Sequence, residues 1–394
     1  MIALLVFAVS ILGLSATALA RPSAHPPQKY INWKTFKANG VNLGGWLVQE
    51  EFIDSSWWNQ TCGDTHDEWN CCISLGAQCG PVLERRYATY FKPADIDKLA
   101  SAGVNTLRIP TTYAAWVKVP GSELYSGNQV SFFKKIASYA ISKYGMHIIL
   151  DIHSLPGGTN GQGHGEAEGH FSWFNNQTNL DYSLKVVDAA LEFIKCSDSP
   201  QSYSLAPINE PVDNHDITMF GTPASLSDNG VAWVQKYLNA AIAKTEAVDS
   251  KIPVMVQGGF RSAAFWSPRF PAGTNLVFDV HNYYFVGRPT DSDTVQADIC
   301  SDAKSSASDS KFPVFVGEWS IQTAANNKFA NRAKNLNTGL YAFGKFTQGS
   351  AYWSARVNGS GKVDGEGVQG DYWSYLSFIA MGIINPSQGR QYCL

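Results

Sequence analysis

The sequence predicts an α/β protein built as a single-domain (β/α)8 barrel, the TIM-barrel architecture, with elaborated loops. Three observations carry this prediction. Short apolar segments recur eight times along the 394 residues, amphipathic stretches separate them, and no linker or internal repeat divides the chain. Strands that alternate with helices favour a parallel sheet, and eight such strands favour a closed barrel over an open sheet.

The predicted strands are short and mostly apolar, and they are rich in β-branched and aromatic residues, as buried parallel strands are. Their predicted bounds are 41–48, 105–110, 147–153, 205–209, 252–257, 276–283, 314–318 and 350–354. The stretches between them include predicted helices at 93–102, 129–144, 180–195 and 230–248. The first of these helices begins with Pro93 and has acidic residues in its first turn, a pattern typical of a helix start.

The composition is that of a globular protein with a sizeable core, since 44% of the residues are hydrophobic and 16% are charged. The formal net charge is −3 and no basic stripe is present, so we expect no nucleic-acid partner. Aromatic residues make up 13% of the chain and include 12 Trp. Flat aromatic faces suit the apolar C–H faces of sugars, although they also fill large cores.

Residues 1–20 form an apolar run that ends in Ala18-Leu19-Ala20, which we interpret as a signal peptide with an A-x-A cleavage site. A transmembrane anchor is the alternative, but the run is short and ends in small residues. Residues 21–29 are predicted to be a leader, and residues 30–394 the functional domain. We therefore expect a secreted, extracellular monomer with no membrane partner.

The seven cysteines favour disulfides in an oxidising compartment. Four of them form a cluster: Cys62, Cys71, Cys72 and Cys79. The cluster lacks paired C-x-x-C units, which makes a zinc site the weaker interpretation. Because seven is odd, at least one thiol is unpaired or bonds outside the chain. Three sequons are candidate N-glycosylation sites: Asn59, Asn176 and Asn358.

Polar and aromatic side chains stand at or just beyond the carboxyl ends of the predicted strands, where a TIM barrel gathers its active site. A purely structural origin would require several charges to be buried without a function, which is expensive. These candidate site residues are Arg108, His153, Asn209, Glu210, His281, Tyr283, Glu318 and Trp353.

Two of these residues form a candidate pair of carboxyl groups. Glu210 follows the fourth predicted strand and Glu318 ends the seventh, and these strands lie on opposite sides of an eight-stranded barrel. A carboxyl pair that flanks a glycosidic bond can cleave it, one group protonating the leaving oxygen. A gap of about 5–5.5 Å indicates a retaining enzyme, whose second carboxylate attacks the anomeric carbon, and about 6.5–9.5 Å indicates an inverting one.

The Gly-rich stretch 155–170 is predicted to be a loop that borders the pocket beyond the third strand and shapes specificity. It lacks the spacing and the Lys-Ser/Thr ending of a phosphate-binding loop. Its His164, Glu166 and His170 suggest a metal site only weakly, because a mobile loop makes a poor preformed site. We expect neither a cofactor nor a metal.

Six motifs in chain order give the sequence a family resemblance: Gly44-Gly45-Trp46-Leu47-Val48, Leu107-Arg108-Ile109-Pro110, Asp151-Ile152-His153, Ile208-Asn209-Glu210-Pro211, His281-Asn282-Tyr283 and Val316-Gly317-Glu318-Trp319. The chain resembles glycoside hydrolase family 5, in the clan of barrels with catalytic glutamates on strands four and seven. The resemblance implies that Glu210 is the acid/base and Glu318 the nucleophile of a retaining β-glycosidase.

The resemblance also implies roles for the other candidates. Arg108 would lie near Glu318 and keep it anionic, and Tyr283 would orient it. Asn209 would donate to the sugar 2-OH. His153 and His281 would bond sugar hydroxyls or the carboxylates, and Trp353 would form a platform beneath the cleaved sugar; each of these has a purely structural alternative.

Within the family, the opening motif and the loop after His153 are similar to the fungal branch that contains exo-β-1,3-glucanases. The segments 49–51, 69–80 and 349–356 are more similar to fungal rutinosidases. The resemblance therefore implies release of rutinose from flavonoid glycosides such as rutin. An exo-β-1,3-glucanase that releases glucose from β-glucans is the alternative, and a non-catalytic carbohydrate-binding wall protein is an alternative of another class.

Overall fold

Eight parallel strands close into a barrel in sequential order, β1 to β8, with β8 pairing back onto β1. The computed structural model describes residues 29–307 and 311–393. The predicted signal peptide (1–20) and residues 21–28 of the predicted leader lie outside the described residues. The strands are β1 Ala38–Asn42, β2 Thr106–Thr111, β3 His147–Ile152, β4 Tyr203–Ala206, β5 Val254–Gln257, β6 Leu276–Tyr284, β7 Val314–Thr323 and β8 Gly349–Tyr352. The predicted (β/α)8 fold class is confirmed.

Each predicted strand overlaps an observed one, but three ends differ in ways that affect the site. The predicted strand 41–48 is wrong beyond Asn42, because the chain turns out of the barrel at Gly45, whose φ is +66°. Strand β4 ends at Ala206, so the predicted end at Asn209 lies in the loop that follows. Strand β7 continues past Glu318 to Thr323.

Helices on the outside of the barrel follow from local sequence signals. Pro93 starts one helix at its first position, inside a capping box between Lys92 and Asp95. The predicted helix 129–144 is confirmed at both ends, and Gly145 stops it in the left-handed conformation. The helices are α1 Ser55–Thr61, α2 Glu68–Leu75, α3 Cys79–Tyr90, α4 Pro93–Ser101, α5 Gln129–Tyr144, α6 Gln177–Lys195, α7 Asp228–Asp249, α8 Ala263–Trp266, α9 Val295–Ser306, α10 Arg332–Phe346, α11 Gly370–Trp373 and α12 Tyr375–Met381.

The barrel interior is packed rather than hollow at the end where the strands begin. Trp33, which precedes β1, packs edge-on against His147 and Phe315. Small and large side chains from seven strands complete this cluster: Ala38, Ile149, Ala206, Met255, Val277, Phe315 and Ala351. Because this end is filled, the open space for a ligand is left at the other end, where the strands finish.

Three disulfides stabilise the loops, as the cysteine pattern predicted. Two short bridges, Cys62–Cys71 and Cys72–Cys79, hold α2 against its neighbours. A long-range bridge, Cys300–Cys393, ties the end of the chain to α9. Cys196 is exposed and unpaired, which accounts for the odd cysteine.

The three sequons differ in what their side chains do. Asn59 and Asn358 are exposed, and Asn358 Nδ2 lies 3.4 Å from Asp54 Oδ2. Asn176 is half-buried and caps α6 by accepting from the Asn179 backbone N–H at 3.1 Å. Glycosylation at these positions stays a prediction. No helix within residues 29–307 and 311–393 has both the length and the apolarity that crossing a bilayer requires.

Candidate active site

Most of the predicted site residues line one cavity of about 530 Å³ at the carboxyl end of the barrel. These residues are His153, Glu210, His281, Tyr283, Glu318 and Trp353. Arg108 and Asn209 are fully buried and do not line it. Arg108 donates to Glu318, and Asn209 Nδ2 lies 3.4 Å from His153 Nε2. The expectation that Arg108 ends its strand is wrong, because it lies in the middle of β2, inside the barrel.

The two glutamates meet across the cavity. One carboxylate oxygen of Glu210 and one of Glu318 lie within 4.8 Å of each other. Glu318 is on β7, whereas Glu210 lies four residues beyond the end of β4. Its backbone φ of +39° is rare for a non-glycine residue, and such strain persists only where the surroundings fix it. The distance between these oxygens of Glu210 and Glu318 is close to the spacing of about 5–5.5 Å in retaining glycosidases.

Arg108 is the buried cation beneath this pair. Its Nη1 donates to Glu318 Oε1 at 2.7 Å, and its Nη2 donates to Asn209 Oδ1 at 2.8 Å. The same guanidinium lies 3.2 Å from Asp151 and 3.6 Å from Asp279. The Arg108 side chain thus holds in place both Glu318 and Asn209, the residue before Glu210.

Two strands use the same Asp-x-His pattern to place a histidine in the cavity. On β3, Asp151 Oδ2 lies 2.7 Å from His153 Nδ1. On β6, Asp279 Oδ1 lies 3.6 Å from His281 Nε2. Residues two apart on a strand face the same side, so each aspartate supports its histidine from below. Neither aspartate was predicted to have a role, although this spacing could have revealed both.

His281 stands between the two glutamates. Its Nδ1 lies 2.7 Å from Glu210 Oε1 and 3.7 Å from Glu318 Oε2. Burial alone would lower the pKa of His281, but Glu318 and the contacts with Asp279 and Glu210 raise it to about 10. In the contact between His281 and Glu210, His281 therefore carries the proton at neutral pH.

The pKa values of the glutamates respond to this cation in different ways. Burial raises the pKa of Glu318, although His281 and Arg108 both act to lower it. For Glu210, burial acts to raise the pKa, but the hydrogen bond and charge of His281 outweigh burial and lower it. We expected a raised pKa for the acid/base Glu210 and an ionised nucleophile Glu318. The two shifts have the opposite directions: the pKa of Glu210 is lowered and that of Glu318 is raised. Arg108 does act on Glu318 in the expected direction.

Tyr283 donates to the other oxygen of Glu318, Oε2, at 2.8 Å. Its ring stacks on Trp373, with centroids 5.6 Å apart and planes at 17°. Gly317, next to the glutamate, leaves room for Asp279, because a Cβ there would overlap the aspartate carboxylate. Each carboxylate oxygen of Glu318 thus accepts a hydrogen bond. One comes from the buried Arg108, and the other comes from Tyr283, whose ring packs on Trp373.

Trp353, just beyond β8, forms a flat wall of the cavity. It stacks on His153 with centroids 5.5 Å apart and planes at 14°. Gly44 lies against it, where an added Cβ would be 2.9 Å from Cζ2 of the indole. The Gly44-Gly45 motif therefore makes space for the Trp353 ring as well as turning the chain.

A protein-family model matches the sequence that forms most of this site. The model for cellulase (glycosyl hydrolase family 5) matches residues 81–359, which is most of the chain. The chain belongs to glycosyl hydrolase family 5. It is a glycoside hydrolase, and the family predicted from the six motifs is confirmed.

This family 5 enzyme is similar to fungal proteins among the solved structures and the curated relatives. The crystal structure of rutinosidase from Aspergillus niger is 54% identical, with a TM-score of 0.89, and covers 91% of this chain and 100% of its own. The structure of the protein AoRut is 57% identical, with a TM-score of 0.90 and the same coverage. A probable glucan 1,3-beta-glucosidase A of Aspergillus niger is 27% identical over 83% of this chain and 76% of its own length.

The family 5 site also contains Glu50, for which no role was predicted. Gln162 and His164 line the cavity too, so the Gly-rich loop borders the pocket as predicted. Glu50 lies just past the first predicted strand, which is where barrel active sites recruit residues. Periodicity could not identify it, because β1 ends eight residues earlier and the chain between makes turns.

Among the described residues, the one set of three ligating side chains close enough to share an ion is Glu210, His281 and Glu318. The Arg108 guanidinium, 2.7 Å from Glu318, would repel a divalent cation there. His281 is already bonded to Glu210. The donor set therefore does not favour a resident metal, and its absence stays a prediction.

Proposed function

We propose that this family 5 enzyme is a secreted, retaining β-glycosidase that releases rutinose from flavonoid glycosides such as rutin. The observation that carries the substrate class is the contrast in similarity. Identity to the Aspergillus niger rutinosidase is 54%, twice the 27% to the glucan 1,3-beta-glucosidase A named for the same organism. An exo-β-1,3-glucanase remains the second candidate, because the curated relatives carry that name.

The separation of the glutamates supports double displacement. In the first step, a Glu318 oxygen bonds to the anomeric carbon as the bond from that carbon to the leaving oxygen breaks, and Glu210 gives that oxygen a proton. In the second step, Glu210 takes a proton from water, whose oxygen bonds to the anomeric carbon and releases Glu318. A separation of up to 4.8 Å between one oxygen of each carboxylate is shorter than the about 6.5–9.5 Å at which inverting enzymes hold a water between their carboxyl groups.

Glu210 needs a proton for the first step, and His281 is the nearest donor. Its Nδ1 lies 2.7 Å from Glu210 Oε1. Glu318 is the largest of the charges that raise the pKa of His281. As Glu318 bonds to the sugar it loses its charge, so the pKa of His281 falls and the proton can move towards Glu210.

The cavity has an apolar part that suits a flat aromatic aglycone. Phe220, Phe260 and Phe285 line it together with Ile217 and Val286. Ile217 is 62% exposed and Val286 is 47% exposed, so apolar surface beside the three phenylalanines faces the solvent. Apolar side chains at the mouth of a polar cavity favour a substrate with a sugar at one end and a flavonoid at the other.

One assay separates the candidates. Rutin and laminarin are offered side by side, and the first sugar released is identified by NMR, which also gives its anomeric configuration. We expect rutinose from rutin as the β-anomer. Glucose from laminarin with no turnover of rutin would identify an exo-β-1,3-glucanase, an α-anomer would exclude retention, and no turnover of any β-glycoside would favour a carbohydrate-binding protein.

The three disulfides support an extracellular location, because such bonds persist in oxidising compartments. We infer a secreted monomer whose only partner is its glycoside substrate, with no nucleic acid or membrane partner. Recovery of the enzyme in the culture medium without residues 1–20, at the mass of one chain by light scattering, is the expected result.

A further inference from the structure

Glu50 lies in the wall of the catalytic cavity, and its own side-chain contacts do little to fix it there. Its Oε1 has no hydrogen-bond partner in the described part of the chain. Its Oε2 lies 3.8 Å from His164 Nε2, which is too far for a hydrogen bond. The position of the Glu50 carboxyl group therefore depends on how the backbone of its segment is fixed.

A buried carboxyl group on helix α2 (Glu68–Leu75) fixes that backbone. Glu68 Oε2 accepts a hydrogen bond from the Gln49 backbone N–H at 2.8 Å, and both residues are at most 1% exposed. The neighbouring residues Glu50 and Asp67 pair at an antiparallel bridge. Two adjacent contacts thus join the start of α2 to the segment that carries Glu50.

Helix α2 can serve as an anchor because two disulfides hold it. Cys71 is bonded to Cys62 at the end of α1, and the next residue, Cys72, is bonded to Cys79 at the start of α3. Side chains on such a rigid element place their partners more precisely than side chains on a loop do. The contact from Glu68 to the cavity wall therefore starts from a fixed point.

Stability alone does not explain a carboxyl group at position 68. Among the residues that the structure describes, none bonds the buried Oε1 of Glu68. Burial raises the pKa of Glu68 to about 7, although the hydrogen bond from Gln49 acts to lower it. An apolar side chain of the same length would avoid this cost of burial. Such a side chain would lack what Glu68 supplies, an acceptor for the Gln49 N–H.

We infer that Glu68 is a positioning residue, which holds the backbone of Gln49 and Glu50, and thereby the Glu50 carboxyl group, in the wall of the catalytic cavity. The inference rests on the proposed function, in which this cavity binds the glycoside. Glu68 is not one of the described residues that line the cavity, so it acts on the substrate through Glu50. Without its acceptor, the buried Gln49 N–H would be unsatisfied, and the segment would shift to find another partner.

Glu68→Met tests the inference, because it removes the acceptor and keeps the length of the side chain. We measure kcat and KM on rutin and expect kcat/KM to fall roughly 5- to 50-fold, with little change in the melting temperature. Glu68→Gln keeps an acceptor for the Gln49 N–H and should retain most of the wild-type rate. Glu84→Met, which removes the acceptor for the Asn128 amide on the neighbouring helix α3, is the matched control and should leave the rate unchanged.

A double-mutant cycle separates positioning from a general structural effect. In the Glu50→Ala background there is no carboxyl group to place, so adding Glu68→Met should lower kcat/KM by less than about twofold. Losses that multiply in the double variant would overturn the inference. So would equal losses in Glu68→Met and Glu68→Gln, because the acceptor would then not be the group that matters.

Removal of the Cys62–Cys71 disulfide gives a second test, which keeps Glu68 in place and serves even where Glu68→Met does not fold. Cys62→Ala combined with Cys71→Ala loosens α2, and we expect a loss of kcat/KM of roughly 2- to 10-fold that disappears in the Glu50→Ala background. An unchanged rate, or a loss that persists without the Glu50 carboxyl group, would overturn the inference. Failure of the proposed function looks different, because the wild-type enzyme would then release no rutinose from rutin, and the same series would be measured on laminarin.

Discussion

His281 Nδ1 lies 2.7 Å from Glu210 Oε1, which makes the imidazolium the direct partner of the proposed acid/base. The contact explains why the pKa of Glu210 is lowered in a buried site, where desolvation alone would raise it. It also means that the protonation of the two glutamates cannot be understood from the carboxylates alone. Replacement of His281 is therefore the most informative change in the site.

His281→Asn should move the acidic limb of the kcat/KM profile to higher pH. His281 acts to lower the pKa of Glu318, so its loss leaves burial less opposed, and a higher pH is needed to ionise the nucleophile. The measurement is kcat/KM against pH on rutin. His170→Asn, at a histidine that bonds Glu166 away from the catalytic cavity, is the control. An acidic limb that stays in place or moves to lower pH would contradict the prediction.

Tyr283→Phe removes one of the two donors to Glu318 and keeps the ring on Trp373. A hydrogen bond to a charged group contributes about 1.5–3 kcal/mol, so we expect kcat to fall roughly 10- to 150-fold. The melting temperature should change little, because the stacked ring remains. Tyr375→Phe is the matched control, since no partner for its buried hydroxyl occurs in the described ranges. Equal rates in the two variants would show that the Tyr283 hydroxyl does not act on the nucleophile.

Loss of the Cys300–Cys393 disulfide should destabilise the fold more than loss of a short bridge. The bridge spans 93 residues, whereas Cys72–Cys79 spans 7. Chain entropy predicts a loss of about 4–5 kcal/mol for the long loop and about 2–3 kcal/mol for the short one when both cysteines become alanine. Urea unfolding measures both values. Cys196→Ser, at the free thiol, should leave stability unchanged, and a reversed order would show that native packing outweighs loop entropy.

His147 should make the fold sensitive to acid. It is buried beneath Trp33 and bonds Ser204 at 2.8 Å, and burial lowers its pKa to about 3. An unfolded histidine titrates near 6.5, so between these pH values the unfolded chain binds more protons. The free energy of unfolding therefore falls as the pH drops from about 6.5 towards 3, by up to a few kcal/mol from this group.

Replacing His147 by Gln should reduce that loss, and thermal unfolding between pH 7 and pH 4 measures it. The variant should lose fewer degrees on acidification than the wild-type enzyme. His215→Gln changes an exposed histidine and serves as the comparison. If the His147 variant and the wild-type protein lose the same number of degrees, this histidine does not contribute to acid sensitivity.

Much of the fold could be predicted from the sequence because its signals are local. Strand periodicity, the Pro93 helix start and the Gly145 stop depend on residues within a few positions of each other. The eight candidate site residues were found in the same way, since parallel barrels place chemistry at strand ends. The motifs around Glu210 and Glu318 then pointed to the family that the comparisons establish.

Only the tertiary structure decided how those residues act on one another. That His281 stands between the glutamates, and that Arg108 reaches Glu318 from the middle of β2, depends on contacts spanning up to 210 residues. Strand register and burial set these distances and the pKa values that follow from them, and neither is encoded in a short motif. For the same reason the place of Glu50 in the cavity could not be predicted, because its segment is held there by a distant contact, the Gln49 N–H donating to Glu68.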